Sequence, residues 1–427
     1  MGKSGQAAYR FLKAKGYTVA GIDSDEKVAA NLAKEGWNVG TYTNLDHYDT
    51  VVVSPGVSPS DKWYAEAVAK KKQILGEAEV AFQESEQTCV AITGTNGKTT
   101  VTLLVAHILN ECGRKARALG NVGEPLTDYF IHPDPEEIVV AELSSYQLET
   151  MGSQVFDAGV ILNITPDHLD RYSSMEEYAR AKCRLELCMK KPDSLYVNMQ
   201  ILKEYGPMLK SNYRTFGSHS GAYFWTDKSV VKELEKVEYF LPDEYRSLGV
   251  HESENVVAAW AICKELGVGK ENFVVALKSF AKPSHRIEFV TDIEGVLYYD
   301  DSKGTNIDAT IKAVQSMPGP VILIAGGVDK GASYYPWKEV FGKKVKRILA
   351  LGQAAEKICR ELQNDFPVMI VPTLDDAVEL ASLEAKKGEC ILLSPGCSSF
   401  DMFRDYAHRG EEFKRCVHDL IERRKKE

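Results

Sequence analysis

Gly94-Thr95-Asn96-Gly97-Lys98-Thr99-Thr100 decides the fold of this 427-residue chain. The apolar run Cys89-Val90-Ala91-Ile92 precedes it, and Val101-Thr102-Leu103-Leu104-Val105-Ala106-His107-Ile108-Leu109, with helical spacing, follows it. A strand that ends in a glycine turn and then opens a helix is a phosphate cradle. Backbone N–H groups and the positive helix end face the anion, the Lys98 ammonium reaches the outer phosphates, and the Thr99 hydroxyl suits Mg2+. Gly94 and Gly97 stand closer together than the glycines of the common phosphate loop, so this is a shortened variant. The same residues could form a plain Gly/Asn turn with a solvated lysine. Strand, loop, Lys-Thr and helix in this order favour a nucleoside triphosphate instead.

Length and composition set the frame. A chain of 427 residues exceeds what one hydrophobic core serves, and two or three domains are expected. No apolar stretch reaches the length of a membrane span, and no leader peptide is evident after Met1. Nine scattered cysteines, an odd number without a Cys-x-x-Cys pair, point to free thiols in a reducing cytoplasm. A formal net charge of −9 speaks against nucleic acid as the main partner, so basic residues that hold anionic substrates must be gathered locally.

The chain reads as α/β in three domains: a Rossmann-like domain at 1–76, a central phosphate-loop domain at 77–282 and a second Rossmann-like α/β domain at 283–427. In the first, Met1-Gly2-Lys3-Ser4-Gly5 runs directly into a helix-like segment at 6–15. A strand over 17–22 then ends at Asp23, and another over 50–53 ends in Ser54-Pro55-Gly56-Val57. The strand that should precede the glycine turn is missing from this pattern. A parallel sheet without it would expose unpaired backbone beside Val19 and Val52, so the true start is expected upstream of Met1. A glycine turn plus an acid after the next strand also fits a dinucleotide site, and both readings stay open. The central domain is expected to hold strands at 89–93, 138–141 and 158–162, with helices at 101–112, 175–189 and 252–266. The last places strands at 296–299, 321–324, 347–350, 368–371 and 391–393 between helical stretches.

Two further segments carry chemistry. Ala141-Glu142-Leu143-Ser144-Ser145-Tyr146-Gln147-Leu148-Glu149 follows a strand, and a carboxylate at a strand's C-terminal end beside a triphosphate suits Mg2+, which prefers hard oxygens. Taken alone, Glu142 would more readily be a solvated loop acid. Asn163-Ile164-Thr165-Pro166-Asp167-His168-Leu169-Asp170-Arg171 also follows a strand, so one sheet end is expected to gather Lys98, Glu142 and His168.

With Tyr178-x-x-x-Lys182, His285-Arg286-Ile287-Glu288 and Asp300-Asp301-Ser302-Lys303-Gly304-Thr305-Asn306, these segments in this order closely resemble the Mur ligase family. Its members are ATP-dependent amide-forming enzymes of bacterial peptidoglycan synthesis, and the resemblance spans nearly the whole chain. It implies that the γ-phosphate of ATP passes to a substrate carboxylate and that an amino acid's amine then displaces phosphate. It also implies a catalytic set of Lys98, Glu142, His168 and Lys182. Thr99 and Glu142 look like ligands of one Mg2+, and His168 and Lys182 (as a carbamate) like ligands of a second. ATP would contact Gly94 to Thr100, Asn255, Arg286 and Asp301. The segment at 249–255 resembles the family's adenine-contacting stretch, with Glu252 in place of its first Asn and Asn255 retained.

The last domain resembles those members that add D-glutamate. Ala325-Gly326-Gly327-Val328-Asp329-Lys330-Gly331 and Ser394-Pro395-Gly396-Cys397-Ser398-Ser399-Phe400-Asp401, followed by Arg409-Gly410-Glu411-Glu412-Phe413, carry that likeness. It implies that Lys303, Thr305, Lys330, Ser399 and Tyr406 surround D-glutamate. Ser4, Asp23, Ser24, Ser54, Gly56, Asn121 and Ser144 match positions that hold UDP-N-acetylmuramoyl-L-alanine in similar enzymes. The implied protein is a cytoplasmic monomer with no nucleic-acid partner and no membrane insertion. A folylpolyglutamate synthetase-like ligase and a non-catalytic nucleotide-binding homologue remain as alternatives.

Overall fold

Residues 1–227, 229–246 and 250–424 are described by the computed structural model. The chain forms two units: Met1–Ile164 with Glu176–Ala281, and Thr165–Met175 with Lys282–Glu427. In the first unit, β1 (Gly21–Ile22) pairs in parallel with β2 (Val39–Gly40), and β3 (Thr50–Val53) with β4 (Gln73–Gly76). These are two separate two-stranded sheets. The strand expected over 17–22 therefore shrinks to its last two residues, because β2 is its sole strand partner among the described residues and 17–20 find none. Helix α1 (Lys3–Ala14) precedes them and buries Phe11.

The run from Cys89 to Thr93 lacks polar alternation, so a strand built from it must be covered on both faces. It forms β5 (Cys89–Thr93), buried at every residue. The same sheet contains β6 (Ala116–Gly120), β7 (Ile138–Glu142), β8 (Ala158–Ile161), β9 (Leu195–Asn198), β10 (Arg214–Gly217), β11 (Phe224–Thr226), β12 (Val230–Glu233) and β13 (Lys236–Phe240). Their order is β13-β12-β11-β10-β9-β8-β5-β7-β6, parallel from β6 through β11, with only β12 and β13 antiparallel to their neighbours. Helix α2 (Lys98–Glu111) lays Val101, Val105 and Ile108 on one face. Phe82, Phe130 and Phe156 pack edge-to-face on the other, with ring centroids 5.7 and 4.8 Å apart. Burying each large apolar side chain contributes about 1.5–3 kcal/mol.

Helix α3 (Met175–Cys183) does not continue to residue 189 as expected. It tightens into a 3-10 stretch at Arg184–Cys188. The Cys188 carbonyl accepts the N–H groups of Val155 (2.9 Å) and Phe156 (3.0 Å), and the Lys190 N–H bonds Phe156 O at 2.9 Å, which draws the chain out of the helix. Helix α4 (Val250–Glu265) joins the face covered by α2 through Val257, Trp260 and Ile262.

The second unit is a six-stranded sheet of β14 (Glu288–Ile293), β15 (Val296–Asp300), β16 (Val321–Gly326), β17 (Val345–Leu351), β18 (Val368–Ile370) and β19 (Cys390–Leu393). The order is β14-β15-β19-β16-β17-β18, and only the β14–β15 pair is antiparallel. The closing helix α5 (Tyr406–Arg424) buries Phe413, Cys416 and Val417 against one face.

Candidate active site

In the first unit, the phosphate loop leaves β5 at Gly94 (φ 153°) and enters α2 from Gly97 (φ 85°), which caps the helix in the left-handed region. A Cβ at Gly97 would lie 2.6 Å from Asn255 Oδ1, and one at Gly94 would lie 2.8 Å from Leu162 Cβ. Only glycine fits both points. Neighbouring side chains pin the loop: Thr95 N–H donates to Asn163 O at 2.9 Å, Asn96 N–H to Asn163 Oδ1 at 2.8 Å, and Asn163 Nδ2 returns a bond to Asn96 O at 2.9 Å. Thr95 and Tyr178 share a hydrogen bond between hydroxyls at 3.0 Å.

Two lysines converge on this loop. Lys98 Nζ donates to the carbonyls of Gly94 (2.9 Å) and Thr95 (2.8 Å), and Lys182 Nζ donates to Gly94 O at 2.8 Å. Lys182 is 1% exposed and lies 4.7 Å from the Tyr178 ring centroid. Thr99 is buried in the first turn of α2, with Thr100 half-buried beside it. On the neighbouring strand β7, Glu142 Oε1 accepts from Asn121 Nδ2 at 2.8 Å, while the buried Oε2 has no hydrogen-bond partner among the described residues. An ionised oxygen buried without a partner is costly, and a hard cation satisfies it. The loop, Glu142 and Asn163 stand at the C-terminal ends of the adjacent parallel strands β5, β7 and β8, where open α/β sheets bind ligands.

Asn255 sits on α4 against Gly97, and Gly249 of the expected adenine stretch lies outside the described residues. Beside it Glu254 accepts from Ser218 Oγ (2.9 Å) and Asn198 Nδ2 (3.2 Å). Burial pushes this carboxyl upward, yet the bonds from His251, Ser218 and Asn198 outweigh that and hold it below its ordinary value. Ser4, Asp23, Ser24, Ser54, Gly56 and Asn121 all line one cleft of about 1000 Å³ in this unit. Ser144 does not; its hydroxyl caps the turn at Ser145–Leu148, whose Gln147 reaches the cleft instead. The Met1 ammonium pairs with Asp23.

In the second unit, the loop after β15 carries Asp301, whose Oδ2 accepts from Ser394 Oγ at 2.6 Å and whose Oδ1 accepts the Ile287 N–H at 3.3 Å. Burial pushes its carboxyl up to about 7, against the opposing pull of Ser394 and Arg286. Asp300 accepts from His285 Nδ1 at 2.6 Å, beside Glu288. The Lys414 ammonium already sits 2.9 Å from Glu288, so a lysine supplies the positive charge in that cluster. Lys303 Nζ donates to Tyr406 OH at 3.2 Å, and Thr305 is half-buried nearby in the same loop. Lys330 Nζ lies 3.0 Å from Asp167 Oδ1, and Asn306 Nδ2 donates to Asp167 Oδ2 at 3.3 Å. His168 (φ 57°) follows Asp167 in the segment counted with this unit, and Ser399 is 2% exposed in the loop after β19.

Asn163, Asp167, Glu254 and Arg409 had no role assigned from sequence. Asn163 and Asp167 stand inside a segment already singled out, both ahead of His168. Arg409, buried on α5, donates to Ser302 Oγ (3.0 Å), Ser302 O (2.8 Å), Cys397 O (3.1 Å) and Gly326 O (3.4 Å). It ties together the three loops that carry Asp301 with Lys303, Lys330 and Ser399.

A short glycine loop at the C-terminal edge of a buried parallel sheet, with an open carboxylate oxygen alongside, defines an α/β enzyme that uses a nucleoside triphosphate. A family model described as Mur ligase middle domain matches residues 92–263, and one described as Mur ligase, glutamate ligase domain, matches residues 285–397. The UDP-N-acetylmuramoylalanine--D-glutamate ligase of Protochlamydia amoebophila (strain UWE25) is 48% identical, covering 98% of this chain and 96% of its own length. An equally named protein of Caldanaerobacter subterraneus subsp. tengcongensis is 36% identical over 98% of this chain and 97% of its own length. Among solved structures, the UDP-N-acetylmuramate-alanine ligase of Thermotoga maritima has the same fold, with a TM-score of 0.61 at 18% identity, covering 98% of this chain and 97% of that one. The chain belongs to the Mur ligase family.

Proposed function

We propose that this chain is an ATP-dependent ligase that joins D-glutamate to the carboxylate of UDP-N-acetylmuramoyl-L-alanine in peptidoglycan precursor synthesis. It acts in the cytoplasm as a monomer built of three functional domains at 1–76, 77–282 and 283–427. Among the described residues no helix is long and apolar enough to cross a membrane. The full-length likeness to relatives bearing the D-glutamate ligase name supports the amino acid. The observation that carries the ATP half is the unpartnered Glu142 oxygen beside the phosphate loop.

The acceptor carboxylate attacks the γ-phosphorus, ADP leaves, and an acyl phosphate forms. The amine of D-glutamate then adds to the carbonyl carbon, and phosphate departs as the amide closes. Activation is needed because a bare carboxylate resists nucleophiles. Loop N–H groups and Lys98 orient the triphosphate, and Asn255, Arg286 and Asp301 hold the rest of the nucleotide. Thr99 and Glu142 would hold one Mg2+; His168 and a carbamylated Lys182 would hold a second. The chemistry supplied by Mg2+ when bound is neutralisation of phosphate charge. Lys330, Ser399, Lys303, Thr305 and Tyr406 position D-glutamate, two ammoniums and three hydroxyls for a dicarboxylic amino acid. Ser4, Asp23, Ser24, Ser54, Gly56, Asn121 and Ser144 serve the UDP-linked substrate.

The test is phosphate release from ATP and Mg2+ with UDP-N-acetylmuramoyl-L-alanine, adding D-glutamate, L-glutamate, diaminopimelate or nothing. Turnover with D-glutamate alone is expected; turnover with another amino acid, or without any, would sink the assignment. Glu142→Gln keeps an oxygen for Asn121 while replacing the open one, so kcat should fall roughly 10²-fold or more with the melting temperature nearly unchanged.

A further inference from the structure

Within the second unit, the loop after β16 carries Lys330 and the loop after β19 carries Ser399. Backbone bonds join the two loops close to their strands. The Gly326 N–H donates to Pro395 O at 2.9 Å, and the Val328 N–H to Ser398 O at 2.9 Å. Both ties come before Lys330 in the chain, and Tyr334 adds one after it. The Tyr334 hydroxyl lies 2.9 Å from Cys397 Sγ and 3.4 Å from Asp329 Oδ1, and Tyr334 and Cys397 are both buried. A phenol has one proton to donate, and a carboxylate is a stronger acceptor than a thiol sulfur. Tyr334 O–H therefore donates to Asp329, and the Cys397 S–H donates to Tyr334. Burial pushes the Cys397 thiol up to about 11, which keeps that proton on sulfur at neutral pH.

The series continues to the helix Ala355–Leu362, outside both loops. Lys357 Nζ donates to Asp329 Oδ2 at 2.8 Å and to Ala332 O at 2.8 Å. From the next turn of that helix, Glu361 Oε2 accepts from Ser333 Oγ (3.0 Å) and the Tyr334 N–H (2.7 Å). Cys397, Tyr334, Asp329 and Lys357 thus run in line from two residues before Ser399, through the residue before Lys330, to a fixed helix. Apolar packing would fill this space equally well, whereas hydrogen bonds in series fix direction as well as distance. Resting on the D-glutamate reading proposed above, we infer that Tyr334 and Lys357 are positioning residues that set the separation of Lys330 from Ser399, and with it the length of dicarboxylic amino acid the site selects. The two anionic ends of aspartate stand one methylene closer than those of glutamate. A rigid pair of holders feels that difference, and a loose pair re-spaces itself to suit either. One methylene is worth roughly 10- to 200-fold in discrimination.

The experiment measures phosphate release by the full chain with ATP, Mg2+ and UDP-N-acetylmuramoyl-L-alanine while D-glutamate or D-aspartate is varied. The parent is compared with Tyr334→Phe, Lys357→Met and Lys357→Arg. Tyr334→Phe keeps the ring and removes only the hydroxyl, and the Lys357 side chain is 21% exposed, so the fold should survive either change. In Tyr334→Phe and Lys357→Met the KM for D-glutamate is expected to rise roughly 10-fold, with the preference for D-glutamate over D-aspartate falling by a similar factor. The kcat at saturation and the KM for ATP should stay within about twofold of the parent. Lys357→Arg keeps donors for Asp329 and Ala332 and should restore the parent preference. A lower melting temperature with KM and preference unchanged would overturn the inference, because the series would then serve stability alone. So would a fall in kcat with the preference intact. A parent that turns over with no amino acid would sink the ligase reading and this inference together. A D-glutamate-specific parent with unmoved variants would sink this inference alone.

Discussion

Asp301 is buried, and burial moves its carboxyl from 3.8 to about 7. Desolvation opposes the charged form more strongly than the Ser394 hydroxyl and Arg286 support it. The consequence for stability runs opposite to that of a salt-bridged acid. Between about pH 4 and pH 7 the folded chain keeps a proton that the unfolded chain has released, so this group's contribution is largest below that window and declines as pH rises through it. The decline amounts to a few kcal/mol in order of magnitude. Asp301→Asn cannot titrate. Urea unfolding at pH 5 and pH 8 should therefore show a smaller loss on going to high pH in the variant than in the parent. Equal losses would place the titration on another group. Under the proposed nucleotide role, a carboxyl that holds its proton near neutrality donates a hydrogen bond where a charged one would repel phosphate.

At the scale of elements, the phosphate loop depends on the backbone conformation of Gly97. With φ at 85° and Asn255 Oδ1 at 2.6 Å from where a Cβ would stand, Gly97→Ala meets both strain and a clash. A left-handed non-glycine residue costs roughly 1–2 kcal/mol, so a loss of at least that size is expected in denaturant unfolding, together with weaker nucleotide binding by calorimetry. Unchanged nucleotide affinity would show that the entry into α2 tolerates rearrangement. This loop was legible in the sequence because its strand, glycines, lysine and helix are contiguous. The order of β5, β7 and β8 was not written there, though their buried runs were. The helix expected to reach residue 189 was misread because a backbone pairing with Val155 and Phe156 ends it, and such pairing leaves no side-chain pattern. The three antiparallel-linked strands β11 to β13 went unseen, since 224–240 mixes charged and apolar residues without a clean period. Arg409 stood in a quoted segment, but its partners are mostly carbonyls, and Ser302 lies 107 residues away. No local spacing announces such a clip.

At the scale of the whole molecule, the second unit is not one stretch of chain. It takes in Thr165–Met175, eleven residues drawn from between β8 and the bulk of α3, so its side-chain set is complete only when that segment is present. Asp167 is the residue through which this matters. It is 5% exposed and meets both Lys330 and Asn306, two positions separated from it by 163 and 139 residues. Removing it leaves the Lys330 ammonium, itself 14% exposed at the side chain, without that partner in a partly dry site. The penalty for such an uncompensated group is about 1–3 kcal/mol. Trp337 is the one tryptophan of the five that falls in this unit, and it is wholly buried, so its emission reports the unit's unfolding. Asp167→Ala should lower the denaturant midpoint read from Trp337 emission, isolated by comparison with Trp337→Phe, and leave the far larger tryptophan signal of the first unit nearly in place. Equal shifts in both signals would mean that the two units unfold as one cooperative body. No shift in either would mean that Lys330 needs no anion from this segment to hold its place.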